Sequence, residues 1–301
     1  MATQADSTSA PFDEQRLAPG ATSSPVAGDL VKRHRLSTRL WHWLNVVTVA
    51  VMLMSGLMIF NAHPRLYWGQ YGANPDAAWF EIGSTENTGF VQAGPLKVET
   101  TGVLGRWSDQ DAQVQRRAFP YWITIPSRYN LADARLWHLA FAWLLGINLL
   151  VYMVVSLRNR HFKRDLTISL TEIRPSHLWQ DIKDHARLRF PTGAAALRYN
   201  ILQKLAYASV LFVMLPLIIL TGLTMSPAMD SGWGWLLDVF GGRQSARSIH
   251  FIAMAALVGF FFVHIAMVVL AGPINELRSM TSGTYRLPGK RPEIETGEVT
   301  P

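Results

Sequence analysis

Four stretches of the chain, Leu40–Phe60, Leu136–Leu157, Leu205–Met225 and Ile249–Gly272, contain no Asp, Glu, Lys or Arg. Each exceeds the ~20 residues a helix needs to cross a hydrocarbon core ~30 Å thick. In lipid a backbone must pair its own N–H and C=O groups, and a helix does so within one segment. The pattern predicts an all-α fold: an integral membrane four-helix bundle with helices over about 40–60, 136–157, 205–225 and 249–272. Charged residues are only 16% of the chain, against roughly 25% in soluble domains, which argues against four buried helices in a soluble core.

The connections set the expected topology. Residues 158–204 hold ten Lys and Arg against four Asp and Glu, whereas 61–135 hold seven of each. Basic connections stay in the cytoplasm, so the N- and C-termini are expected to be cytoplasmic and the 61–135 connection to lie outside. The net charge of +7 follows this asymmetry and points to membrane lipid, with no nucleic acid partner. The first apolar run follows about forty residues of chain and is too long for a signal-peptide core, so it reads as a retained helix.

Residues 1–33, rich in Ser, Thr, Ala, Pro and Asp, are expected to be a disordered tail. Residues 34–282 form the membrane domain and 283–301 a mobile tail. Ser37 or Thr38 is the expected cap of the first helix, Pro216 the expected kink in the third, and Pro175–Leu188 an interfacial helix. The outer connection reads as turns and short extended pieces, with no strand-rich domain and no internal repeat.

Cysteine is absent. This excludes disulfides, covalent c-type haem attachment and cysteine-held iron–sulfur clusters. The apolar runs instead carry His42, His138, His250 and His264. An ionisable side chain in a span normally faces the bundle interior. His250 and His264, fourteen residues apart, lie ~40° apart around a helix and ~21 Å apart along it. They share a face but not an ion, so each needs a partner at its own depth. His138 opens the second helix at the outer end, as His250 opens the fourth. His42 opens the first helix from the inside, at the depth of His264. The expected pairs are His138 with His250 and His42 with His264.

Two imidazoles with no carboxylate or thiol nearby suit a bis-histidine haem iron, whereas zinc asks for three or four protein ligands. The expected cofactors are two non-covalent b-type haems, one per pair. Ala253, Ala255, Ala256 and Gly259 offer low-profile positions for a porphyrin. Arg243 and Arg247 before His250, and Arg35 and Arg39 before His42, are expected partners of the anionic propionates. His34, His63, His161, His177 and His185 lie outside the runs and read as surface or interfacial residues. Asn148, Lys204 and Tyr207 are further candidate polar contacts, near the inner half. No catalytic residue is identified.

The helix count, the RLWHWLN entry to the first helix and the fourteen-residue histidine pair on the fourth resemble the prokaryotic di-haem cytochrome b family. That family includes the membrane subunits of nickel–iron hydrogenases and formate dehydrogenases, and the likeness covers roughly residues 34–282. RYNILQKLAY, PLIILTGLTMSP and FGGRQSARSIHF are similar to its thiosulfate-reductase branch. The resemblance implies ligation by the same four histidines and a multi-pass protein of the bacterial inner (plasma) membrane. It also implies electron transfer between quinone and a molybdenum or iron–sulfur partner subunit, within a complex and not as a complete enzyme. Two other readings remain: a stand-alone transmembrane haem reductase, and a haem-free helical transporter or anchor with packing histidines.

Overall fold

The computed structural model describes residues 28–160, 162, 168, 174–187 and 200–288. Four of its helices are long and apolar enough to cross a membrane: Leu36–Phe60 (α1), Leu131–Arg158 (α2), Ile201–Thr224 and Arg243–Ala271 (α8). The third joins α4 (Ile201–Ser209) to α5 (Leu215–Thr224) through a π-helical turn, Val210–Met214. Pro216 accounts for that turn. It offers no N–H to the Phe212 carbonyl and its ring crowds it, so the ladder widens locally. Shorter helices are α3 (Pro175–Ala186), α6 (Pro227–Trp233), α7 (Trp235–Val239) and α9 (Pro273–Thr281). Of the helix expected over Pro175–Leu188, α3 covers Pro175–Ala186, and Leu188 lies outside the described residues.

All four spans begin before their apolar runs, because a first turn needs capping partners rather than apolar residues. α1 starts at Leu36, so Ser37 and Thr38 sit inside its first turn and do not cap it. The Asn130 side chain caps α2 by accepting the Asp133 N–H at 3.1 Å. α8 is capped by a distant loop: Gln244 and Ser245 N–H both donate to the Gly69 carbonyl at 3.1 Å.

The chain divides into two compact units, one of residues 41–167 and 203–264 and the other of 1–40, 168–202 and 265–301. In the second, β1 (Leu30–Lys32) pairs antiparallel with β8 (Thr284–Arg286), and Val31, Tyr285 and Leu287 form a small buried cluster. Arg33 donates to both Glu276 carboxylate oxygens at 3.1 Å. This corrects the expected tail boundaries at 33 and 283, since residues on both sides of those limits are paired. The remainder of the expected tails, 1–27 and 289–301, lies outside the described residues.

The first unit holds a second correction. The 61–135 connection contains an antiparallel sheet in the order β2 (Arg65–Leu66), β3 (Phe80–Ser84), β4 (Gly89–Ala93), β5 (Leu96–Glu99). A separate pair joins β6 (Trp107–Ser108) to β7 (Val114–Gln115). Gly94, at φ +55, closes the two-residue β4–β5 turn, a conformation glycine adopts without steric cost. Leu66, Ile82 and Ala118 of this insert bury against Phe60 at the end of α1, with Phe251 of α8 packed beside them. Asn61 fastens the junction: its side chain accepts the Phe119 N–H at 2.7 Å and donates to the Phe119 carbonyl at 3.0 Å.

Candidate functional site

Both expected histidine pairs meet, and both lie within the first unit. The ring centres of His138 (α2) and His250 (α8) are 6.3 Å apart, and those of His42 (α1) and His264 (α8) are 6.4 Å apart. Two metal–nitrogen bonds of ~2 Å, each extended by ~1.2 Å from nitrogen to ring centre, span ~6.4 Å. Each pair therefore has the spacing of two imidazoles sharing one metal ion. Among the described residues no group of three or more His, Cys, Asp or Glu is placed to hold a metal, so a zinc ligand set is not assembled there.

The surroundings of the pairs differ. Ser55 Oγ of α1 lies 3.1 Å from His138 Nδ1, and Thr221 Oγ1 of α5 lies 3.0 Å from His250 Nδ1. Both hydroxyl residues are fully buried at 0% exposure. Each is followed by a glycine facing the same ring. A Cβ on Gly56 would stand 3.2 Å from His138 Cε1, and one on Gly222 3.5 Å from His250 Cε1. By contrast, His42 Nδ1 is buried with no hydrogen-bond partner. Trp43 meets the His42 ring edge-on at 5.2 Å, and Phe260 stacks on His264 at 5.9 Å. Ser55, Gly56, Thr221 and Gly222 were not singled out by the sequence reading. The repeated hydroxyl–glycine step, SGL and TGL, was the available signal.

The turn of α8 before His250 holds the insert. Ser248 Oγ donates to the Tyr67 carbonyl at 2.5 Å and accepts Trp79 Nε1–H at 2.9 Å, while Ser245 Oγ accepts the Gly69 N–H at 2.7 Å. Arg247 donates to the Arg65 carbonyl at 2.9 Å and to the His63 carbonyl. The Arg243 N–H donates to Gln70 Oε1 at 3.3 Å. Arg39, in the other unit, donates to the Ser282 carbonyl at 3.1 Å and keeps a buried Nε without a partner. Of the four small residues expected beside a porphyrin, Ala253 is buried, whereas Ala255, Ala256 and Gly259 are exposed. Asn148 Nδ2 is buried and unpaired. Outside the spans, burial pushes His63 below its ordinary range; Arg247 and Arg65 add to this and Glu81 opposes it.

The model of the prokaryotic cytochrome b561 family matches residues 33–283. The chain is a member of that family. As such it is a multi-pass bacterial membrane cytochrome, associated with electron transport, for which b-type haem is the implied cofactor. The cytochrome is 28% identical over 233 residues to a putative protein-methionine-sulfoxide reductase subunit YedZ1 of Azospira oryzae, covering 77% of this chain and 87% of the relative. It is 24% identical over 280 residues to a probable Ni/Fe-hydrogenase B-type cytochrome subunit of Cupriavidus necator, covering 89% and 91%. No solved structure matches. The residues of this cytochrome fit a b-type haem: the two pair spacings suit an iron held between two imidazoles, and hydroxyls, glycines and aromatic rings are among the groups facing the histidines.

Proposed function

We propose that this cytochrome holds two b-type haems and carries electrons across the membrane between quinone and a partner oxidoreductase subunit. The observation that carries the reading is the pair of ring spacings, 6.3 and 6.4 Å, with one histidine of each pair on α8. His138 and His250 hold one iron, and His42 and His264 the other. A b-type haem held by these imidazoles would supply one-electron transfer. The chain's part is to orient the imidazoles, exclude water and tune the iron through the groups around each ring. Arg39, Arg243 and Arg247 lie within two turns of a ligand on their own helices and supply cations for the propionates. Asn148, with its unpaired amide nitrogen, is the first candidate for a quinone contact, ahead of Lys204 and Tyr207.

The charge asymmetry of the connections supports cytoplasmic termini in the inner membrane, with the insert and the His138–His250 pair outside. Both relatives are named as subunits, which supports a partner that performs the substrate chemistry, with a molybdenum or iron–sulfur centre of its own. The test is a pyridine haemochrome assay on the purified full-length chain. The expected result is about two haems per chain; one haem or none sinks the reading. Co-purification of a second subunit from native membranes tests the partner, and full reductase activity in the single chain argues against it.

A further inference from the structure

We propose that Ser55 and Thr221 are positioning residues that lock His138 and His250 in one tautomer, Nδ1 protonated and Nε2 turned to the metal, and thereby lower the potential of the centre those histidines hold. The inference rests on the two-haem reading and goes beyond it by assigning a role to two helices that contribute no ligand to that centre.

The argument counts protons. A hydroxyl has one, and a carbonyl can only accept. Ser55 Oγ lies 2.6 Å from the Val51 carbonyl and 3.2 Å from that of Met52. Its proton is thus committed to the backbone, and toward His138 Nδ1 the oxygen can only accept. Nδ1 must therefore carry the hydrogen. Thr221 repeats this, with Oγ1 2.7 Å from the Leu217 carbonyl and 3.3 Å from that of Ile218. With Nδ1 as donor, the neutral imidazole keeps its free lone pair on Nε2.

The pattern is built twice. On α1 it runs Val51, Met52, Ser55, Gly56; on α5 it runs Leu217, Ile218, Thr221, Gly222. In both, carbonyls four and three residues back receive the hydroxyl, and the next residue is glycine, which lets the ring lie close. Serine and threonine back-bond within apolar helices for their own sake, and that habit explains the carbonyl contacts. It does not explain why two such hydroxyls, on two different helices, both face Nδ1 of one histidine pair. An Nδ1–H donated to oxygen raises the basicity of Nε2, which favours the more positive, oxidised iron. The hydroxyls therefore hold this centre's potential down.

The test uses the full-length chain with Ser55→Ala, Thr221→Val, the double variant and the conservative Ser55→Thr. Haem content and the two midpoint potentials are read by spectroelectrochemical titration, and ligand geometry by low-temperature paramagnetic resonance. The His138–His250 haem is identified as the one missing from His250→Ala. Ser55→Ala and Thr221→Val should each raise its potential and shift its resonance, the double variant further, while the other haem stays put. Ser55→Thr should restore the parent values. Two haems retained with neither potential moved, or both moved together, overturns the proposal while leaving the two-haem reading intact. A parent chain that binds no haem overturns both, so the two failures are distinct.

Discussion

Around His138 and His250, two further spanning helices supply hydroxyls and glycines, and the α8 turn before His250 is tied to the insert by Ser245, Arg247 and Ser248. Around His42 and His264 the ring neighbours include Trp43 and Phe260, and His42 Nδ1 has no partner. The same chemistry, two facing imidazoles at nearly one spacing, is thus mounted in two ways. One pair is clamped by oxygen from outside its own helices; in the other, aromatic rings meet both histidines and His42 Nδ1 has no partner. A clamped imidazole is the stronger donor, so the His138–His250 centre should have the lower potential of the two. A titration in which the centre lost from His264→Ala proves the lower one breaks this comparison.

Ligand removal has the largest expected effect. His250→Ala and His264→Ala should each cut the haem content from about two per chain to about one, and the two single-haem proteins should differ in their α-band positions. Loss of both haems from either variant would show that the pairs are not independent sites, against their ~21 Å separation along α8.

Next comes Gly242→Ala. Gly242 sits at φ +106, and a Cβ there would lie 2.6–2.7 Å from Gln70 Oε1, Gln70 Cα and Gly69 C. A side chain in such a conformation costs on the order of 1–3 kcal/mol, and here it also pushes away the loop that caps α8. The expected outcome is a lower melting point with weaker haem retention at His138–His250 and an unchanged spectrum from the other centre. Thermal melts followed at each haem's own band would separate the two.

The glycines beside the rings sharpen the comparison within the clamped pair. Gly56→Ala brings a methyl to 3.2 Å from His138 Cε1, tighter than ordinary contact, whereas Gly222→Ala reaches His250 Cε1 at an unstrained 3.5 Å. Overpacking of that kind costs about 1–3 kcal/mol, while replacing a helical glycine by alanine gains roughly 0.5–1 kcal/mol. Gly56→Ala should loosen the haem, and Gly222→Ala should leave it unchanged or slightly more stable. Haem dissociation measured by transfer to an acceptor globin checks the difference in sign.

The spans and the pairing of His42, His138, His250 and His264 were legible because helical geometry is periodic: fourteen residues on one helix fix both angle and rise. The insert was not. Its strands are at most five residues long, and Gly83 and Gly89 interrupt the alternation that marks a strand, so the connection reads as turns and short extended pieces. FGGRQSARSIHF was legible as a likeness alone. Its work became visible once Gly242, Ser245, Arg247 and Ser248 were seen gripping residues 63–79, partners too far away in sequence for any local pattern to reveal. Ser55 and Thr221 were hidden for another reason. A hydroxyl in an apolar helix normally serves its own backbone, and only the position of a second helix turns it into a clamp.

The smallest expected effect lies outside the membrane, on the side of the clamped pair. His63 follows α1, stacks on Tyr67 at 5.7 Å and has a buried Nε2 without a partner. Burial first, then Arg247 and Arg65, hold its affinity for a proton below the ordinary 6.5, against the weaker pull of Glu81. The unfolded chain therefore binds this proton more readily than the folded one. Above pH 6.5 His63 is neutral in both states and costs nothing. As pH falls below 6.5, through the lowered folded value, protonation of the unfolded chain draws stability away. Hydrogen exchange in β2 and β3, which pair beside His63, should accelerate as pH falls through this range once the intrinsic pH dependence of exchange is removed. His63→Gln should flatten that residual slope, with the His42–His264 absorbance unchanged across the titration. An identical slope in the variant would move the pH response to another group and leave the insert's attachment to α8 as a purely structural contrast between the two halves.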